Sequence, residues 1–268
     1  MNNAIFLDID GTLLPFGTSD VPESALSAIR LARKKGNLVF INTGRCRLEV
    51  VDSLVEIGFD GIICSNAMYI EEDGKVLKEE SLEPYLVKRI GEFLEERDTG
   101  YFFEGHRYVC ASPKFFPRLE KIAGVEAARI MKKEFPSVIE STLQFDEIGK
   151  INFFQKGSIV KDARALFGDS LQINEWSLIG DAANMGEMTK PDANKANGVD
   201  FMLRRHGIDV SHSFAFGDTL GDLGMLKACG VGVAMGNASQ ALKKEADYVC
   251  ESVCENGIFN AFKKYGLI

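Results

Sequence analysis

The 268-residue chain lacks any apolar run long enough to span a bilayer. No basic region or cleavage site opens it, and its first apolar run carries two acids, which argues against a signal peptide. Basic charge is scarce: 31 Lys and Arg stand against 39 Asp and Glu, a net charge of −8. That balance argues against a nucleic-acid or anionic-membrane partner. It also means that an anionic substrate would need positive charge supplied locally. Histidine is rarer still, and His106, His206 and His212 have no metal-ligand spacing to one another. The six cysteines form no regular framework, and Cys64 and Cys229 sit in apolar surroundings, as reduced thiols of a cytoplasmic protein would. Cys250 and Cys254 lack the second pair a zinc site needs. Internal repeats and low-complexity linkers are absent as well. What remains is the composition of a soluble globular protein, long enough for two domains.

Against these absences stands Ile5-Phe6-Leu7-Asp8-Ile9-Asp10-Gly11-Thr12-Leu13-Leu14. An apolar strand reads into two acids one residue apart, then a glycine able to break the strand. An Asp-Gly turn would explain Asp10 and Gly11. It would not explain Asp8, inside the apolar run. Two buried carboxylates are expensive unless a cation lies between them. The stretch therefore predicts a magnesium site at the carboxyl end of a central strand, where open α/β sheets bind ligands.

Downstream, a helix opens at Pro22-Glu23-Ser24, a strand covers Leu38–Ile41, a helix runs through Leu54, and a strand covers Gly61–Cys64. Strand alternating with helix is the pattern of a doubly wound parallel sheet. Met68–Leu77 reads as a hairpin around Asp73-Gly74. Strands at Tyr101–Phe103, Tyr108–Cys110, Ile151–Phe154 and Trp176–Ile179 then mix with helices, as in an inserted α+β module with helices over one face of an antiparallel sheet. The parallel pattern resumes with a helix from Lys195, a strand at Ser213–Phe216 and another at Val231–Met235. The expected fold class is thus α/β, a Rossmann-like core of residues 1–82 and 186–268 with an α+β cap of residues 83–185.

Strand and helix ends in that fold would present Asp8 and Asp10, Thr43 and Gly44, Lys195, and Asp218 with Asp222 at one sheet edge. The set suits phosphoryl transfer. A phosphate needs its charge neutralised and its outer oxygens held. Magnesium takes oxygen ligands and keeps waters, a hydroxyl and main-chain N–H groups can grip phosphate oxygens, and a lysine adds a point charge. One carboxylate can attack phosphorus while another handles protons.

These motifs, Asp8-Ile9-Asp10-Gly11-Thr12-Leu13, Asn42-Thr43-Gly44-Arg45, Lys195, Gly217-Asp218 with Asp222, and Val233-Ala234-Met235-Gly236-Asn237-Ala238, resemble the haloacid dehalogenase superfamily, near its Cof-type phosphatases. The resemblance implies Asp8 as nucleophile and Asp10 as general acid, then base. It implies magnesium held by Asp8, the Asp10 main-chain oxygen and Asp218, supported by Asp222, with Thr43, Gly44 and Lys195 on the phosphoryl group. Only about thirty residues separate Thr12 from Thr43, too few for a large cap, so the long insertion after Thr43 matches the family's type-two cap. Such a cap would exclude water and choose the leaving group, with His106, Arg107, Tyr108 and Lys114 as candidate contacts, though for each a plain surface position is the blander reading. Gly221 stands where the family usually has Asn, a role that Asn237 could fill. Ser65-Asn66-Ala67 replaces the usual Asn-Gly-Ala, and Ala196 follows Lys195 in place of Gly, with Lys190 as a lesser stand-in. The leading expectation is a magnesium-dependent phosphatase of a small phosphorylated metabolite. A phosphomutase on the same core and a non-catalytic phosphometabolite-binding protein are the alternatives.

Overall fold

The computed structural model describes residues 2–18, 20–134, 138–139, 145–176 and 184–268. The chain begins with β1 (Ala4–Leu7), α1 (Glu23–Lys34), β2 (Leu38–Asn42), α2 (Asp52–Val55), β3 (Gly61–Cys64), β4 (Tyr69–Glu72) and β5 (Lys75–Glu79). It continues through α3 (Pro84–Glu96), β6 (Tyr101–Gly105), β7 (Val109–Ala111), α4 (Phe115–Ala123), α5 (Val125–Glu134), β8 (Val138–Ile139), β9 (Ile148–Phe154), α6 (Ile159–Phe167), β10 (Gln172–Trp176) and β11 (Met185–Thr189). It closes with α7 (Lys195–His206), β12 (Ser213–Gly217), α8 (Leu223–Ala228), β13 (Val231–Ala234), α9 (Gln240–Glu245), β14 (Tyr248–Val249) and α10 (Gly257–Lys264).

Two compact units result, one of residues 1–45, 50–78 and 194–268, the other of residues 46–49 and 79–193. These limits differ from the expected ones for physical reasons. β11 is paired antiparallel to β9 and β10, so it belongs with the second unit's sheet. Cys46 is buried in a cluster with Phe102, Phe115 and Phe154, which draws the short segment at 46–49 into the same unit. Of the strand expected at Trp176–Ile179, Trp176 ends β10 and the other residues lie outside those described.

The first unit carries an eight-stranded sheet in the order β14-β13-β12-β1-β2-β3-β4-β5. From β14 to β3 neighbouring strands are parallel, and β4 turns back antiparallel on β3. All four residues of β1 are buried, as a central parallel strand between two helix layers requires. α1 turns Ala25, Ala28, Ile29 and Ala32 inward at helical spacing. Phe6 stacks on Phe40 at 5.2 Å between centroids, and Phe216 meets Phe262 at 5.3 Å. Register matters most for function: Leu7 pairs with Ile41 on one side and Phe216 on the other, and Phe216 pairs with Val233. The residues after those strands therefore emerge at one edge.

The second unit has a six-stranded sheet in the order β10-β11-β9-β6-β7-β8. Most pairs are antiparallel, but β7 and β8 run parallel. Both faces are covered, not one. Tyr101, Phe103, Ile151 and Phe153 join Ile90, Leu94 and Phe167 in one apolar cluster. Phe102 and Phe154, out of phase with them, join Phe115, Phe116 and Leu119 in another. Among the described residues no helix is long and apolar enough to cross a membrane. Five of the six cysteines are buried, and Cys254 is exposed.

Candidate active site

β1 ends at Leu7, so Asp8 and Asp10 lie in the turn beyond the strand. The N–H groups of Thr12, Leu13 and Leu14 all donate to the Ile9 carbonyl, winding the chain tightly. Gly11 makes this possible at φ +75°, and a Cβ there would stand 2.3 Å from Asp218 Oδ2. The main-chain N–H of Asp8 donates to Phe216 O at 3.1 Å, which locks the loop to the neighbouring strand.

The two acids then part company. Asp8 is buried, and its Oδ1 accepts from Lys195 Nζ at 2.7 Å. The same Nζ donates to Asp222 Oδ1 at 2.6 Å. Asp10 remains half exposed, its carboxylate gripped by Arg45 through Nε to Oδ2 at 2.8 Å and Nη2 to Oδ1 at 2.6 Å.

Lys195 reaches Asp8 because it is the first residue of α7, capped by Asn194, whose side chain accepts from Asn197 N at 3.0 Å. Asn42, at the end of β2, donates from Nδ2 to Lys195 O at 2.9 Å and so fixes the start of that helix. Asp218 follows β12 and is buried, with Thr12 Oγ1 at 3.5 Å from its Oδ1. Asp222 Oδ2 accepts from Asp218 N, Thr219 N and Thr219 Oγ1 at 3.0, 2.9 and 3.3 Å. Both oxygens of Asp222 are therefore engaged by protein donors, and this residue shapes the loop that presents Asp218.

Carboxylate oxygens of Asp8, Asp218 and Asp222 lie within 4.8 Å of one another, and Lys195 is the cation bonded among them. Burial, then the nearby Asp222 charge, pushes Asp8 up to about 7 in spite of Lys195. Burial, then Asp8 and Asp222, pushes Asp218 up to about 8. Burial alone would drive Lys195 down, yet Asp222 and Asp8 together hold it above the usual lysine range. Three buried acids sharing one ammonium are short of positive charge, and their donors are all oxygen. That is the donor set and charge deficit that a hard divalent cation satisfies, so the residues fit magnesium.

Thr43 is buried, with its N–H donating to Ile63 O at 2.9 Å and its Oγ1 accepting from Arg45 N at 3.1 Å. Gly44 follows, opposite Asn66: a Cβ there would lie 3.4 Å from Asn66 Oδ1. Ser65, Asn66 and Ala67 all have positive φ, at 49°, 54° and 68°. Asn66 N donates to Thr43 O, and Ser65 N to Arg45 O, so this left-handed stretch braces the Thr43 loop. Asn237 bonds to main-chain groups of two loops. Its Nδ2 donates to Gly11 O at 2.7 Å and its Oδ1 accepts from Val253 N at 2.9 Å, tying the Asp8 loop to the carboxyl-terminal segment.

In the second unit the four residues considered for specificity are tied locally. His106 is buried, with Nε2 3.3 Å from Glu80 O. Arg107 pairs with Glu147 at 2.8 Å, Tyr108 donates to Asp146 O, and Lys114 pairs with Asp98 at 3.0 Å. Lys190, the lesser stand-in for Lys195, pairs with Glu80 at 3.1 Å. The sequence reading missed a different group. Glu104 and Lys150, cross-strand neighbours on β6 and β9, are buried as an ion pair at 2.8 Å. Asn152 donates to Glu104 and accepts from Trp176 Nε1 at 3.1 Å. Burial, then Glu49, pushes Glu104 up to about 8 against the pull of Lys150. Strand periodicity could have flagged Glu104, Lys150 and Asn152 as polar residues on one sheet face.

A haloacid dehalogenase-like hydrolase family model matches residues 5–262. The chain belongs to that family. YkrA of Bacillus subtilis, which carries a phosphatase name, is 29% identical over 264 residues, covering 98% of both chains. The solved subclass IIB sugar phosphatase BT4131 is 27% identical with a TM-score of 0.82, over all of both chains. BT1666 from Bacteroides thetaiotaomicron, a phosphatase of the same superfamily, is 27% identical with a TM-score of 0.84, over all of this chain and 96% of the other. With relatives of this kind across its whole length, the protein is a phosphatase of the haloacid dehalogenase family.

Proposed function

We propose that the protein is a magnesium-dependent phosphomonoester hydrolase of small phosphorylated metabolites, sugar-phosphate-like, working through an aspartyl-phosphate on Asp8. The observation that carries this reading is the buried Asp8 carboxylate, bonded to Lys195 and crowded by Asp218 and Asp222 at the carboxyl edge of a parallel sheet. The kinship to BT4131, named a sugar phosphatase, supports the substrate class. Magnesium would be held by the Asp8 and Asp218 carboxylates and the Asp10 main-chain oxygen, with Asp222 in support, and would neutralise charge on the phosphoryl oxygens.

The chain's own groups do the rest. Lys195 has three N–H donors, two of them on carboxylates, which leaves one for a phosphoryl oxygen. Thr43 Oγ1 accepts from Arg45 N, and its own hydrogen faces no acceptor among the described residues, so it is free for a second phosphoryl oxygen. The Gly44 main chain lines the same loop. An Asp8 oxygen forms a bond to phosphorus as the ester P–O bond breaks, and Asp10 gives its proton to the departing oxygen. Water then forms a new P–O bond as Asp10 takes its proton. The Asp8–phosphorus bond breaks, releasing inorganic phosphate and free Asp8.

The test is phosphate release from an aryl phosphate and from a panel of sugar phosphates. Turnover should vanish in Asp8→Asn while the fold is kept, and should stop in excess chelator. Activity persisting in that variant removes Asp8 as nucleophile, and full turnover in chelator overturns the metal assignment.

A further inference from the structure

The Arg45–Asp10 pair is unexplained by anything above. We propose that Arg45 is a positioning residue that sets the orientation of the Asp10 carboxylate for proton transfer, an inference that rests on the Asp10 role just described. The pair is partly solvent-exposed, with 28% of the Arg45 side chain and 48% of the Asp10 side chain accessible. An ion pair in such a setting adds little to stability, so stabilising the fold is a weak reason for it. What a fork of two parallel bonds supplies is geometry. Nε to Oδ2 and Nη2 to Oδ1 together fix the plane of the carboxylate and its rotation about the side chain. Each carboxylate oxygen has about two lone-pair directions. The fork occupies one on each and leaves the outer ones for a proton.

Both ends of the fork are anchored. Arg45 N donates to Thr43 Oγ1, and Arg45 O accepts from Ser65 N at 2.7 Å. Ser65 opens the left-handed stretch through Ala67. That conformation is strained for side-chain-bearing residues such as Ser65 and Ala67, and such strain persists where the surroundings over-determine it. The Arg45 main chain is therefore held in a costly local structure that grips the Thr43 loop as well. On the other side, the Gly11 turn fixes the Asp10 main chain. The arrangement also divides the labour of two acids that are close in sequence. Lys195 serves Asp8 and Arg45 serves Asp10, so each carboxylate has its own cation and neither can take the other's place. A lysine at position 45 could supply charge but not the planar fork.

The experiment compares Arg45→Met, Arg45→Lys, Asp10→Asn and the double variant Arg45→Met/Asp10→Asn in the full chain with magnesium. The probes are p-nitrophenyl phosphate, whose leaving group departs without a proton, and glucose 6-phosphate, whose leaving alkoxide needs one. Arg45→Met should lower kcat/KM about 100-fold on glucose 6-phosphate, the scale of general acid–base catalysis, and less than about tenfold on the nitrophenyl ester. Arg45→Lys should recover only part of the loss. The double variant should be no slower than Asp10→Asn, because a residue acting through Asp10 has nothing left to orient. Losses that multiply in the double variant, or equal losses on both esters, would place Arg45 on the phosphate or in the fold and overturn the proposal. If Asp10→Asn itself shows no leaving-group dependence, the acid role of Asp10 falls and the proposal with it. Turnover surviving in Asp8→Asn would instead undo the hydrolase mechanism, a separate failure.

Discussion

Lys195→Met is the substitution that most directly tests the charge balance of the site. The ammonium is buried and bonded to Asp8 at 2.7 Å and to Asp222 at 2.6 Å. Removing one partner of a buried ion pair costs about 3–5 kcal/mol, because the other charge is left uncompensated. Asp222 keeps three donors from Asp218 N and Thr219, so most of the penalty should fall on Asp8. In chelator at pH 8 the variant should lose about 3 kcal/mol. Two further conditions follow from the same electrostatics. Asp8 and Asp218 are held up at about 7 and about 8. A carboxylate raised on folding binds more protons folded than unfolded, so its contribution is fully present below the ordinary carboxylate range and is lost as pH rises toward 7 and 8. The Lys195→Met deficit should therefore shrink as pH falls from 8 to 5. Magnesium should restore part of the loss by binding only the folded form. Urea unfolding followed by far-UV circular dichroism reads all three, since the single tryptophan, Trp176, belongs to the second unit. A variant within about 0.5 kcal/mol of the parent at pH 8 in chelator, inside the range of ordinary surface changes, would refute this reasoning.

Gly11→Ala should fold but lose more than about 100-fold in kcat/KM, the scale seen when reacting groups are misplaced by about an ångström. Its Cβ would collide with Asp218 at φ +75°, and steady-state kinetics with a magnesium titration checks both effects. Asn237→Ala should cost about 1–3 kcal/mol in unfolding free energy by stranding Gly11 O and Val253 N. Its KM for phosphate esters should stay near the parent value, whereas a large rise in KM would make Asn237 a phosphate contact. Lys150→Met should destabilise the second unit by about 3–5 kcal/mol, because it leaves Glu104 buried and unpaired. Tryptophan fluorescence during urea unfolding reports that loss, and Lys150→Met/Glu104→Gln should regain part of it.

The parts of the site that could be read from the sequence are those that depend on a strand ending in a given residue. Asp8, Thr43 and Asp218 each follow an apolar run, and parallel register alone brings those ends to one edge. Lys195 was legible as a helix start. What the sequence hid is how polar atoms are spent. Nothing local distinguishes Asp222, whose two oxygens are consumed by Lys195 and its own loop, from an acid free to bind metal. Asn237 stands beside the motif loops in the sequence pattern yet uses its amide on main-chain groups. The Arg45 fork joins residues from two different strand ends, and the Glu104–Lys150 pair depends on the register of β6 against β9. The second unit was legible as α+β, but not the covering of both its sheet faces, because Tyr101-Phe102-Phe103 is apolar in both phases.

The pairing of Ala4 with Ser213 has a consequence for biosynthesis. The innermost strand of the first sheet leaves the ribosome some two hundred residues before its second neighbour, β12. Until then one hydrogen-bonding edge of β1 and the apolar flank around Phe6 stay open, while the whole of the second unit can already collapse on itself. Nascent chains of this protein should depend on holding chaperones during that interval. Slowing translation across the stretch before Ser213 should lower the yield of soluble enzyme without altering the finished molecule.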